Sequence, residues 1–344
     1  MIENEQRPLS HLSDAQVRAQ LEAHGATAGQ RYTAQSNPVA QAAEVAMRAM
    51  GFHEHFTPGI DEPKRIPTPA VGSGGMSLDR ALSLAGAADG VYGLNMVPAG
   101  ETNDLDPRSV IEANSRVVTA GARLIIAHKK PRPIYDPQSG NNHPGFYEET
   151  ALVRHVDPAA FATVVDGADA ALSPFPIHDA SFAWGSTPHQ AFHVKITRAQ
   201  HRAVGGAELN DAFMVAILRG LGELADQLLL NAILAATPAA FTFGAAAARH
   251  AKYDELRALV GTAGTGAGIA GDGSFRAGGV FAELTAATDK TVVGLFNRAA
   301  IAFRPELSVH VKRLNVVGDT ELTVFANAQA VVPNPAGDFW TVNA

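Results

Sequence analysis

Residues 208–236, ELNDAFMVAILRGLGELADQLLLNAILAA, decide the architecture. Wound at about 100° per residue, Glu208, Asp211, Arg219, Glu223 and Asp226 fall within one arc of roughly a third of the circle. Leu209, Phe213, Ala216, Ile217, Leu221, Leu224 and Leu228 occupy the rest. The spacing predicts one long helix. Gly205 and Gly206 precede it. Thr237-Pro238 stops it, because proline biases its predecessor away from the helical region. About 28 residues at ~1.5 Å each make a rod roughly 40 Å long. A rod with so broad an apolar surface needs sheets or neighbours along its length.

On the N-terminal side of this rod, residues 192–197 (FHVKIT) alternate at period two and predict a strand. Residues 173–185 (SPFPIHDASFAWG) combine prolines and aromatics without helical period and read as an extended arm. Further upstream, helices are expected at 13–24, from Pro38 to Gly51, at 78–88 and near 107–114, with a buried strand at 123–127. Residues 57–77 and 131–145 read as loops, and 150–172 as alternating strand and turn. Beyond the rod, a helix is expected at 253–260 and a Gly-rich loop at 261–279. Strands are expected at 292–296, 307–314, 321–325 and 339–342. Helices and strands together give an α+β chain.

Composition narrows the function classes. Charged residues are 18% of the 344, below the usual quarter, which fits either a subunit covered by other chains or an Ala-rich core. The net charge of −7 argues against sequence-tracking of nucleic acid, which normally shows a basic stripe. No cysteine is present, so there is neither a disulfide framework nor a thiolate nucleophile or ligand, in keeping with a reducing cytosol. The first residues, MIENEQRPLSHLSD, lack the pattern of a signal peptide. Arg219, Glu223 and Asp226 in the middle of the long helix argue against a membrane crossing.

Three patterns could carry chemistry. Gly266, Gly268 and Gly271 match G-x-G-x-x-G by letter, but a dinucleotide site needs the turn to leave a strand and open a helix, so a surface loop is expected. His189 and His193, with His201 nearby, have ligand-like spacing. They lack the intervening Glu of a helical zinc site, and Val194–Ile196 favours a strand. His53-Glu54-His55 lacks further partners. No nucleophile, base and orienter can be assembled, so no catalytic residue, metal ligand or cofactor is assigned.

From residue 173 onward, the order of extended arm, return strand, long helix, Gly-rich region and closing strands resembles the major capsid protein of tailed bacteriophages, the HK97-like fold. The resemblance implies an E-loop tip at 173–185, its return strand at 192–197 and a spine helix of a peripheral domain at 209–236. Part of an axial domain would lie at 253–279, with closing strands at 292–342. It divides the chain into an N-terminal arm (1–36), axial elements in an inserted or permuted order (37–172), E-loop and return strand (173–200), spine region (201–240) and axial remainder with closing strands (241–344).

The function implied is structural: self-assembly into an icosahedral head shell of pentamers and hexamers enclosing double-stranded DNA. Cement, scaffolding and portal proteins would be the partners, with assembly in the host cytoplasm and no membrane. Phe175, Phe182, Trp184 and Phe192 are the candidate inter-subunit contacts. Two alternatives stay open: an encapsulin-type nanocompartment shell, and a metal-dependent enzyme using His189, His193 and His201.

Overall fold

The computed structural model describes residues 37–49, 71–79, 82–84, 103–127, 129–131, 134–135, 142–143, 146–148, 152–167, 169–181, 190–204, 206–314 and 318–342. The expected helix at 13–24, the His53-Glu54-His55 pattern, Phe182, Trp184 and His189 lie outside them. The chain is α+β, and its axis is the helix Gly206–Ala235, 30 residues long. Met214, Leu218, Leu229, Leu230 and Ile233 on this helix are fully buried.

Three groups of elements cover the helix. An antiparallel four-stranded sheet runs in the order Val71–Ser77, Glu306–Arg313, Thr320–Ala326, Gln190–Ile196. A three-stranded sheet places Ala300–Phe303 between Ala328–Val331 and Arg123–Ile126. The helices Pro38–Ala49, Pro107–Asn114 and Arg116–Thr119 also pack against the long helix. Leu307, Val309, Leu322 and Val324 from the first sheet share one core with Leu218, Leu229 and Ile301.

A six-stranded sheet carries the C-terminal half: Ala267–Ile269, Phe275–Ala277, Val280–Leu284, Arg257–Val260, Val292–Gly294, Phe339–Thr341. Strand side chains alternate between faces, and here both faces of the inner strands are covered. Leu259, Val292 and Phe339 join the core around the long helix. Ala258, Val260, Val293 and Trp340 form a second core with Ala246 and Val280. The strand Ala300–Phe303 likewise sends Ile301 and Phe303 into the main core and Ala300 and Ala302 into a small third one.

Two aspartates of the predicted polar arc are not solvated. Asp211 and Asp226 are buried, at 7% and 3% exposure. Asp226 accepts from Ser115 Oγ at 2.7 Å and from the backbone N–H groups of Arg116 and Val117 at 3.0 Å each, holding the N-terminus of the helix Arg116–Thr119. Asp211 accepts from Asn37 Nδ2 at 2.8 Å, just before the helix Pro38–Ala49 begins. The arc is therefore partly a set of anchors for preceding helices. Conversely Ala216, counted with the apolar residues, is exposed.

Other expectations also need correction. Residues 71–77, read as part of a Gly-rich loop, form the edge strand Val71–Ser77, paired from Val71↔Lys312 to Ser77↔Glu306. Its glycines serve close packing: a Cβ on Gly72 would lie 1.8 Å from the Ala42 carbonyl oxygen, so the helix Pro38–Ala49 rests directly on backbone. Within the helix expected at 78–88, Leu82–Leu84 is a strand paired with Asn103–Leu105. The helix expected at 253–260 is a 3-10 turn, Tyr253–Glu255, followed by the buried strand Arg257–Val260, where tertiary burial overrides local propensity. The loop expected at 131–145 contains paired strands Ile134–Tyr135 and Asn142–His143, closed by Lys129–Pro131 and Phe146–Glu148. The helices at Pro38–Ala49 and Pro107–Asn114 and the strands at Arg123–Ile126, Gln190–Ile196, Val292–Gly294, Glu306–Arg313, Thr320–Ala326 and Phe339–Thr341 agree with expectation within a few residues.

Candidate assembly arm and its anchor

The extended segment is one half of an antiparallel ribbon. Ile177–Ser181 pairs with Leu152–Val156, from Ile177↔Val156 to Ser181↔Leu152. On one face of the ribbon Val153 and Ala180 pack against Ala127, Ala300, Ala302 and Val331. Alanines at the contact let the ribbon lie close.

Between the two strands, the described residues of 157–176 form neither helix nor strand. Asp157 N–H donates to the Pro176 carbonyl at 2.7 Å and closes the loop at its base. Beyond that point its large apolar side chains meet solvent: Phe161 is 98% exposed, Val165 74%, Leu172 101% and Phe175 77%. A scattered exposed Leu is ordinary, whereas a run of this kind marks a surface that another body covers. Phe175, one of the expected contact candidates, is among these exposed side chains. Phe161, Val164, Val165 and Leu172 were not singled out from sequence, because they follow no period and sit among Ala and Asp.

Phe192 lies on Gln190–Ile196, the edge strand opposite Val71–Ser77. It continues the row of Val194 and Ile196, but Ile196 is buried while Phe192 is 42% exposed, so the core row runs out past the end of its cover.

Polar groups fix the base of the ribbon. Arg154 grips Asp179 with two hydrogen bonds of 2.7 Å, and this partner holds the Asp179 carboxyl below its ordinary value. On the other face, His155 and His178 are directly opposed and their rings stack 6.5 Å apart. Their Nε2 atoms lie 3.1 and 3.0 Å from the two oxygens of Asp157. An ionised carboxylate only accepts, so Nε2 carries the proton on both rings.

Arg249 reaches the same carboxylate at 3.1 Å and also bonds Asp338 at 3.4 Å. Asp338, only 1% exposed, receives Arg298 at 2.9 Å. Burial pushes the Asp157 carboxyl up, but the His178 hydrogen bond, the Arg249 charge and the His155 hydrogen bond together outweigh it and leave it below the ordinary value. The ribbon is thereby tied to the six-stranded sheet by one chain of charges.

The other sequence patterns do not assemble into sites. His193 faces Glu321 at 3.8 Å on the solvent side of its strand, and His201 is exposed on the helix Arg198–Val204. Among the described residues no group of three metal-ligating side chains converges. Gly266–Gly271 does not open a helix; it surrounds the strand Ala267–Ile269, which turns back through Phe275–Ala277. A cleft of about 400 Å³ lies beside the long helix, lined by Arg116, Arg219, Glu223 and Gln227, and Asp226 at its wall is committed to the neighbouring helix N-terminus. Among the described residues, no helix is long and apolar enough to cross a membrane.

No family model and no curated protein matches the sequence. Among solved structures, the chain is similar to one titled Mycobacterium phage Che8, at 11% identity and TM-score 0.38 over 64% of this chain and 94% of that one. It is similar to the capsid of the native GTA particle, at 11% identity and TM-score 0.40 over 76% and 99% of the two chains. It is also similar to a virus-like particle from Pyrococcus furiosus, at 11% identity and TM-score 0.38 over 69% and 98%.

Proposed function

We propose that this chain is the structural subunit of a closed shell, an icosahedral head enclosing double-stranded DNA. The ribbon 152–181 serves as its E-loop arm, extending the arm expected at 173–185, and Gly206–Ala235 as its spine. The observation that carries the reading is the loop 157–176, whose large apolar side chains are uncovered while Met214, Leu218, Leu229, Leu230 and Ile233 along the spine are fully buried.

Burying five such side chains (Phe161, Val164, Val165, Leu172, Phe175) on a second copy yields on the order of 10 kcal/mol, at about 1.5–3 kcal/mol each. The cost of losing translational and rotational freedom is roughly 4–15 kcal/mol. One arm therefore about breaks even, and association becomes decisive when symmetry repeats the contact around a closing rotation. Pentamers and hexamers supply such repetition. The net charge of −7 suits a wall that encloses DNA without reading its sequence.

Light scattering on the full-length chain, with negative-stain images of the same fraction, tests the reading. Uniform megadalton shells that hold nucleic acid are expected. A chain that stays subunit-sized under all assembly conditions overturns it, and shells filled with protein instead of nucleic acid overturn the DNA-enclosing role.

A further inference from the structure

We propose that Asp157 and its two histidines make the ribbon base a proton-operated hinge, held while at most one of His155 and His178 is charged and released when both are. The geometry is specific. The two rings stack at 6.5 Å with 14° between their planes and bond opposite oxygens of one carboxylate, which Arg249 also holds. The side chains of His155 and His178 are 19% and 31% exposed, so charge placed on them is only partly screened.

The surrounding charges balance before either ring is protonated. Arg249 and Arg298 face Asp157 and Asp338 from the turn after Phe243–Ala248, the 3-10 turn Phe296–Arg298 and the helix Pro335–Asp338. On the opposite face Arg154 and Asp179 neutralise each other. A first proton turns one histidine bond into a charge-assisted one. A second places two imidazolium rings and a guanidinium around a single carboxylate.

Asp157 stays ionised throughout, because its partners hold it below the ordinary carboxyl value. Histidine is the side chain that changes charge between about pH 5 and 8, so release follows a fall in pH. The Arg154–Asp179 clamp remains closed over that range, so the two strands leave together, and a two-stranded ribbon without its support is only marginally stable in water and opens. Among the described residues, Val153 and Ala180 also seat the ribbon on a floor that includes Ala127, Ala300 and Ala302.

Amide hydrogen exchange on the full-length chain, corrected for intrinsic rates, reads the hinge at about pH 7.5 and about pH 5. In the wild type, protection of Leu152–Val156 and Ile177–Ser181 is expected to fall roughly tenfold at the lower pH. The double variant His155→Gln/His178→Gln is expected to show no fall, and Asp157→Asn to be unprotected at both values. Equal wild-type protection at the two pH values overturns the proposal, as does a fall that persists in the double variant. Should the double variant lose cooperative melting, His178→Gln alone decides: it accepts one proton only, so a fall there equal to the wild type's contradicts the hinge.

Discussion

The long helix and the ribbon spend apolar residues in opposite ways. Along Gly206–Ala235, Met214, Leu218, Leu229, Leu230 and Ile233 have no exposure at all. In the loop 157–176, Phe161 and Leu172 have essentially full exposure. Both segments carry six alanines with large apolar side chains set among them. What separates them is whether the same chain supplies a cover. The helix is enclosed by sheets and helices of its own chain, whereas the large apolar side chains of the loop are exposed.

Substitutions can break this contrast at graded strengths. Leu221→Asp puts a charge at a position 5% exposed beneath the surrounding elements, and a loss of several kcal/mol, enough to prevent folding, is expected. Circular dichroism checks it; near-wild-type melting would mean that this face is not enclosed. Asp226→Ala comes next. It leaves the Ser115 hydroxyl proton and two backbone N–H groups at a helix start without their acceptor, and roughly 2–4 kcal/mol is expected to be lost in urea unfolding.

The same aspartate gives a pH signature. Burial raises the Asp226 carboxyl above its ordinary value, against the opposing hydrogen bonds of Val117, Ser115 and Arg116. A group with raised folded pKa stabilises most below its unfolded value and loses that contribution as pH climbs through the folded one. The stability gap between wild type and Asp226→Asn is therefore expected to shift in the wild type's disfavour from acid toward neutral pH. A gap independent of pH would contradict the burial argument.

Gly72→Ala is milder. The new methyl meets the Ala42 carbonyl and lifts Pro38–Ala49 from its strand, at about 1–3 kcal/mol in thermal unfolding. Phe161→Ser, on the loop, is expected to change subunit stability by less than about 0.5 kcal/mol while weakening assembly in light scattering. A large drop in melting temperature would show that Phe161 is covered within its own subunit.

The helix was legible because burial on a rod imposes the 3.6 period, and the strand at 190–196 because a half-covered sheet imposes alternation. Asp211 and Asp226 were not. A carboxylate on a helix stripe reads as solvated whether it meets water or another helix's N–H groups, and the donors to Asp226 lie 109–111 residues away in sequence. The strand Val71–Ser77 was hidden because glycines carry no side-chain pattern, although they are what lets the helix Pro38–Ala49 approach. His155 and His178 looked unrelated until strand register set them opposite each other. Of the contact candidates, Phe175 and Phe192 are exposed, while exposure of Phe161 and Leu172 depends on the absence of a cover that no local pattern announces.

The most direct measurement is the sedimentation of the full-length chain beside a variant in which residues 158–175 are replaced by a short Gly-Ser linker, with melting curves for both. The account predicts uniform megadalton particles for the wild type, and for the variant an equally stable subunit that forms none. Particles of the same size from both chains would contradict it, because the uncovered loop would then play no part in joining one copy to the next.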